Sequence, residues 1–501
     1  MPSHYERLRN LIGTYHDIDR AGQVLEWDQQ TYMPPGGAVE RAEQISTLNR
    51  LAHERLVSDE MGGAIEAALH ETANADGDSD EYRVVRHMSR FYAKRRRIPA
   101  EWIGDWSRIT SLAQSAWEKA RPASDFAAFL PHLEKIIDYR RQYSEFFAPY
   151  DHVYDPQLDY FEPGMKTAEV RAVFAELRPA QVELVQAIAD RGRPVNDAPL
   201  HQAFDIQKQW DFGVDVVTQF GYDFQRGRQD RSAHPFTTFF GLGDVRITTR
   251  FLGDYIGSAL FSTMHESGHA MYGQGVSPSL ARTENIHGAS YAFHESQSRM
   301  WENLVGRSRP FWKAFYPKLQ STFPAQLGSV DLETFYRAIN KVERSLIRVE
   351  ADEATYNLHI MLRFELELDL MEKRLEARDL PAAWNGKVKD YLGLTPKNDR
   401  EGVLQDIHWS AGYVGYFPTY SLGNLISVQL WEQIRKDLPD LETQIEGARF
   451  ADLLAWLREK IHRHGAKYEP VELLRRITGQ GLQAAPYLQY LRTKYGEIYG
   501  L

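Results

Sequence analysis

Apolar residues recur at three- and four-residue spacings through much of this chain, and that period is the signature of amphipathic helix. The pattern covers residues 38–70, 83–95, 127–146, 166–191, 331–377 and 448–463. Strands do not alternate with helices in the way that builds a parallel sheet. The expected fold class is therefore mainly α. One stretch departs from the period. His234 to Phe251, HPFTTFFGLGDVRITTRF, is rich in Thr, Phe, Val and Ile around a Gly241-Leu242-Gly243-Asp244 turn, and it reads as a β-hairpin. Met33 to Gly37 and Leu394 to Gly402 read as loops, neither of them biased enough to force a domain boundary. Without an internal repeat, residues 1–501 are expected to form one large helical domain.

Composition narrows the chemistry. The chain has no cysteine, which excludes a disulfide scaffold and any thiolate metal site and leaves His, Asp and Glu as ligands. A net charge of −10, with no basic cluster interleaved with aromatics, argues against a nucleic-acid partner. No run approaches the roughly 18 apolar residues of a membrane span. The opening MPSHYERLRN lacks the apolar stretch of a signal peptide, so a cytoplasmic location is expected.

Asp254 to Tyr272 reads as a single helix closed by Gly273 and Gly275, with Pro278 beyond. It carries His265-Glu266-Ser267-Gly268-His269. Helical geometry sets the two histidines about 40° apart around the axis and about 6 Å apart along it, so both imidazoles can reach one ion. Glu266, about 100° away, falls beside that ion, where it can take a proton from an activated water. The plain alternative is a helix with two unmetallated histidines and a solvated glutamate, and the pattern alone does not exclude it.

A catalytic site needs three protein ligands and an open position. A third histidine from the same motif is ruled out, because Tyr272 and Gly275 stand where glycine and histidine would be required. Residues 290–306 offer a following helix with His294, Glu295 and Glu302. Adjacent helical residues diverge by about 100°, so His294 and Glu295 compete for the ion. Glu295 would complete a two-histidine, one-carboxylate set, His294 is its alternative, and Glu302 is a candidate to support a ligand from behind.

Six stretches together resemble the carboxypeptidase Taq family of zinc metallocarboxypeptidases. They are His234-Pro235-Phe236, Asp244 to Thr248, His265 to His269, His294 to Gln297, Ile347 to Asp352 and Gly402 to Trp409; Leu25 to Gly37 resembles the family's opening signature. The resemblance implies a neurolysin-like, clamp-like helical fold, with two lobes flanking a deep groove and a short sheet lining it. It implies one Zn2+ per chain, replaceable by Co2+, on His265, His269 and Glu295, with Glu266 as the catalytic carboxylate. It also implies a homodimer that removes single residues from peptides with a free C-terminus, with broad preference but stopping at proline.

Further roles follow by position in the matching stretches. His408, with Tyr416 behind it by analogy with related helical metallopeptidases, is the candidate donor to the oxyanion; Tyr413 and Tyr420 compete with Tyr416. Arg348 is the candidate anchor for the substrate's terminal carboxylate, with Arg246 and Arg400 as rivals. Spacing alone gives Arg348 a plainer reading, an i,i+4 ion pair with Asp352 on one long helix. Asp244 and Arg246 are expected to shape the groove, His234 to be structural, and His287 and His294 to support the site or lie exposed. Two other functions stay open: an oligopeptidase that cuts internal bonds, and a non-catalytic peptide-binding protein stabilised by its ion. An aminopeptidase is disfavoured, since no Gly-x-Met-Glu-Asn stretch precedes the site.

Overall fold

The computed structural model describes residues 2–501. Helices account for most of them beside one small sheet, as the periodicity predicts. The chain divides into two compact units. The first holds the chain up to Arg96 with Asp197–Ile339 and Leu430–Gly479, and the second holds Arg97–Asn196, Asn340–Gln429 and Gln480–Leu501.

In the first unit the helix His4–Thr31 begins at a reciprocal cap, in which Ser3 Oγ accepts from Glu6 N at 3.1 Å and the Glu6 carboxylate accepts from Ser3 N at 2.9 Å. Its Leu8 and Ile12 share an apolar cluster with Leu56, Met61, Ile65 and Val84. The periodic run at 38–70 is two helices, Ala38–Leu56 and Asp59–Glu71. Ser58 interrupts it: its backbone is extended, and its hydroxyl caps Met61 N at 3.2 Å.

The sheet comprises β1 (Gln229–Arg231), β2 (Thr237–Gly241) and β3 (Asp244–Thr249), in the order β1-β3-β2. β2 and β3 form the expected antiparallel hairpin, with Thr237 opposite Ile247. β1 runs parallel to β3 on its other side, which no local pattern announces.

The helix carrying the two histidines spans Ile256–Gly275, and it packs against β2, β3 and the helices Ile206–Phe220 and Tyr291–Arg299. It runs past Tyr272, so Gly273 and Gly275 do not close it; Val276 and Ser277-Pro278 do. The glycines instead allow close approach. A Cβ on Gly273 would lie 2.0 Å from the Phe239 ring, and one on Gly268 would lie 2.6 Å from both Gln297 O and Ser298 Cα. The Tyr291–Arg299 helix starts at Ser290, whose hydroxyl accepts from Phe293 N at 3.1 Å, and continues as a π-helical turn, Met300–Val305.

In the second unit Tyr356–Met371 is buried on nearly every face and packs against Phe126–Glu145, Thr167–Arg191 and Leu380–Leu392. The helix expected to run from 331 to 377 is broken. Leu332–Ile339 and Tyr356–Met371 are separated by irregular chain that includes one 3-10 turn, Arg348–Glu350. Asp352 stabilises the break. Its carboxylate accepts from the backbone N–H groups of Glu343 at 2.9 Å, Ala354 at 2.9 Å and Thr355 at 3.1 Å.

Because the Gly268 contact is with backbone, no side-chain rotation relieves an added methyl. Gly268→Ala is expected to cost about 1–3 kcal/mol of stability. Urea unfolding checks this, and an unchanged midpoint would show that the two helices separate easily.

Candidate active site

His265, His269 and Glu295 converge: one ligand atom from each lies within 4.8 Å of the others. The Nε2 atoms of His265 and His269 are each 3.5 Å from Glu295 Oε2. A four-coordinate divalent ion with ligand bonds of about 2.0–2.2 Å holds its ligand atoms about 3.3–3.5 Å apart. The donor set and these two spacings therefore fit a metal. His294 is not the third ligand in this grouping. Its Nδ1 lies 3.3 Å from His269 Nδ1, which places it behind that ligand.

The groups around the ligands orient them. Glu302 Oε2 is 2.8 Å from His265 Nδ1, which sets a proton on that nitrogen and would leave Nε2 to a metal. Arg299 joins the two carboxylates, with Nε donating to Glu295 Oε1 at 2.7 Å and Nη1 to Glu302 Oε2 at 3.0 Å. Ser298 Oγ donates to Glu295, whose Oε2 lies 3.1 Å away. Burial pushes the Glu295 carboxyl up, but Arg299 and the two histidines outweigh it and hold it well below the usual carboxylate range. Glu302 is held at about 2 for the same reason, with Arg299, His265 and Arg307 opposing burial. Both acids are thus ionised, ready to serve a cation. Burial and the neighbouring histidines keep His294 well below its ordinary value and hence neutral.

Glu266 is buried on the same helix, and its Oε2 accepts from Thr237 Oγ1 of β2 at 2.6 Å. Neither Thr237 nor Arg299 stands out in the sequence as a site residue. Arg299 has a helical signal, i+4 from Glu295 and i−3 from Glu302. Thr237 has none beyond its place in the hairpin.

Arg348, His408 and Tyr416 belong to the second unit, where they form a cluster of their own. The Arg348–Asp352 ion pair does not form, because Asp352 is committed to backbone. Arg348 instead donates to Asp406 Oδ1 from Nε at 2.9 Å and to Tyr356 Oη at 3.0 Å. Arg363 shares the same carboxylate, its Nη2 lying 2.5 Å from Asp406 Oδ2. One buried carboxylate between two buried guanidiniums leaves the group a net positive charge. Burial drives the His408 imidazole down to about 3, with both arginines adding to Asp406's failure to offset it, so it is neutral near pH 7. Its Nε2 is 3.2 Å from Tyr420 Oη, and its ring lies 5.5 Å from that of Tyr416 and 6.5 Å from that of Tyr413.

The remaining candidates stand elsewhere. Arg246 pairs with Asp244 at 2.7 Å and lies over the Trp27 ring at 4.4 Å. Arg400 and His234 are exposed. His287 is partly buried, 2.9 Å from Arg20 Nη2.

Two histidines and a carboxylate held by a second set of charged groups, on a helix with a further carboxylate, form a group that could hold a metal ion, as a metal-dependent hydrolase requires. A family model, carboxypeptidase Taq (M32) metallopeptidase, matches residues 7–495. Thermostable carboxypeptidase 1 of Thermus thermophilus is 41% identical over 488 residues, 96% of each chain. Carboxypeptidase 1 of Bacillus subtilis is 38% identical over 490 residues, 98% of this chain and 97% of the relative. The crystal structure of an M32 carboxypeptidase from Deinococcus radiodurans R1 superposes with a TM-score of 0.97 at 42% identity, over 99% of this chain and 100% of that one. The chain belongs to the carboxypeptidase Taq (M32) family of metallopeptidases. It is a metallocarboxypeptidase, a hydrolase acting on peptides. Among the described residues no helix is long and apolar enough to cross a membrane.

If Glu302 orients His265, Glu302→Gln should weaken metal binding about 10- to 100-fold while the fold is kept. Competition against a chromogenic chelator measures this, and unaltered affinity would refute the role.

Proposed function

We propose that residues 1–501 act as one catalytic domain that removes single amino acids from the C-termini of peptides, with broad preference and arrest at proline. The resident ion is Zn2+, one per chain, with Co2+ a working substitute, held by His265, His269 and Glu295. The observation that carries the reading is the 3.5 Å spacing of both histidine Nε2 atoms from Glu295 Oε2, with the Glu266 carboxylate on the same helix. We infer further that the enzyme is cytoplasmic and works as a homodimer.

When bound, the ion supplies a Lewis acid for the scissile carbonyl and acidifies water. Glu266 receives the water's proton and hands it to the departing amine. His408 and Tyr416 donate to the negative charge that develops on the carbonyl oxygen, with Tyr413 and Tyr420 as rivals of Tyr416. A neutral His408 imidazole suits that donor role. Arg348 anchors the terminal carboxylate. The net positive charge of the Arg348, Arg363 and Asp406 group supports this, since a bound carboxylate would balance it.

One peptide in two forms, C-terminal acid and C-terminal amide, tests the reading with the metal-loaded enzyme and mass spectrometry of the products. Stepwise loss of single residues from the acid alone is expected. Equal internal cleavage of both forms would make the protein an oligopeptidase and release Arg348 from its role. Metal binding with neither peptide cut would make it a peptide-binding protein. Glu266→Gln is expected to bind metal normally and to lower kcat by roughly 100-fold or more. Near-native turnover by that variant would remove Glu266 from the mechanism.

A further inference from the structure

We propose that Thr237 is a positioning residue of the hydrolytic reaction, fixing the orientation of the Glu266 carboxylate through its hydroxyl. The proposal rests on the reading of Glu266 given above.

Thr237 is the first residue of β2, an outer strand of the sheet. Its hydroxyl oxygen lies 2.6 Å from Glu266 Oε2 and 3.0 Å from the carbonyl oxygen of the same residue. A hydroxyl has one proton to give and two lone pairs with which to accept. It therefore donates to one of these oxygens at a time. The shorter distance marks the ionised carboxylate as the stronger acceptor.

Two features make this more than a chance contact. The strand end is fixed by its neighbour: Thr237 is opposite Ile247 in the ladder, Thr248 N donates to Phe236 O at 2.9 Å, and Phe236 N donates to Thr248 Oγ1 at 3.0 Å. The charge around Glu266 also differs from that around its neighbours. Glu295 and Glu302 are held by the Arg299 guanidinium, whereas Glu266 has no arginine or lysine partner among the described residues. The Thr237 hydroxyl is therefore the group that orients this carboxylate.

The plain alternative is that Thr237 only packs, or only caps a helix carbonyl. Thr237→Val, which keeps the shape and removes the hydroxyl, separates the two when set beside Thr237→Ser and Glu266→Gln. All are assayed as metal-loaded full-length enzyme on a C-terminal acid peptide, with metal content and melting temperature recorded. Losing a hydrogen bond to a charged group predicts a kcat lower by about 10- to 100-fold for Thr237→Val, with KM and metal content unchanged. Thr237→Ser is expected to stay within about threefold of the parent enzyme, since it keeps the donor. Thr237→Ala carries the same expectation as Thr237→Val should the valine disturb folding. Unchanged kcat in Thr237→Val, or equal losses in the valine and serine variants, would overturn the proposal. Full turnover by Glu266→Gln would overturn the reading of Glu266 on which it rests, whatever Thr237→Val does.

Discussion

The site depends on how closely two helices approach at Gly268. Its missing side chain lets Ile256–Gly275 lie against the backbone of Gln297 and Ser298, two and three residues beyond Glu295. Glu295 Oε2 comes within 3.5 Å of both histidine Nε2 atoms only because the helix axes are that near. A methyl at this crossing would act on the ligand geometry before it touched any ligand. The HESGH stretch is therefore a packing motif as well as a coordination motif, with its glycine serving the first and its histidines the second.

The π-helical turn at Met300–Val305 adds a further constraint. Glu302 lies within it and reaches His265, while Glu295 in the preceding α-helix lies against both histidine Nε2 atoms. Arg299 sits between them in sequence and binds both. Three charged residues from one continuous segment thus place Glu295 beside the histidines and orient the His265 ring. Such π-turns are found often at functional sites, and here the widened turn carries a ligand-supporting residue.

Much of this was legible in the sequence because it is local. The 3.6-residue period carries the helices, and the four-residue spacing of His265 and His269 carries their shared face. Helical spacing leaves Glu295 and His294 as rivals, and the structure groups Glu295 with the two histidines while His294 lies against His269. Periodicity failed where side chains compete for backbone. Ser58 interrupts one run that the apolar pattern would continue, Asp352 stabilises the break in another, and with that second break the ion pair considered for Arg348 disappears. β1 and the Thr237 contact escaped because both depend on partners distant in the chain, and neither a polar three-residue strand nor a lone hydroxyl leaves a period to read.

The charges at the centre carry a last consequence. Glu295 and Glu302 are matched by the Arg299 and Arg307 guanidiniums, so the ligands do not rely on the ion to neutralise them. If His265, His269 and Glu295 hold the ion as proposed, its loss would leave both carboxylates paired with guanidiniums, and exchange of the ion would be a ligand-substitution reaction rather than an unfolding one.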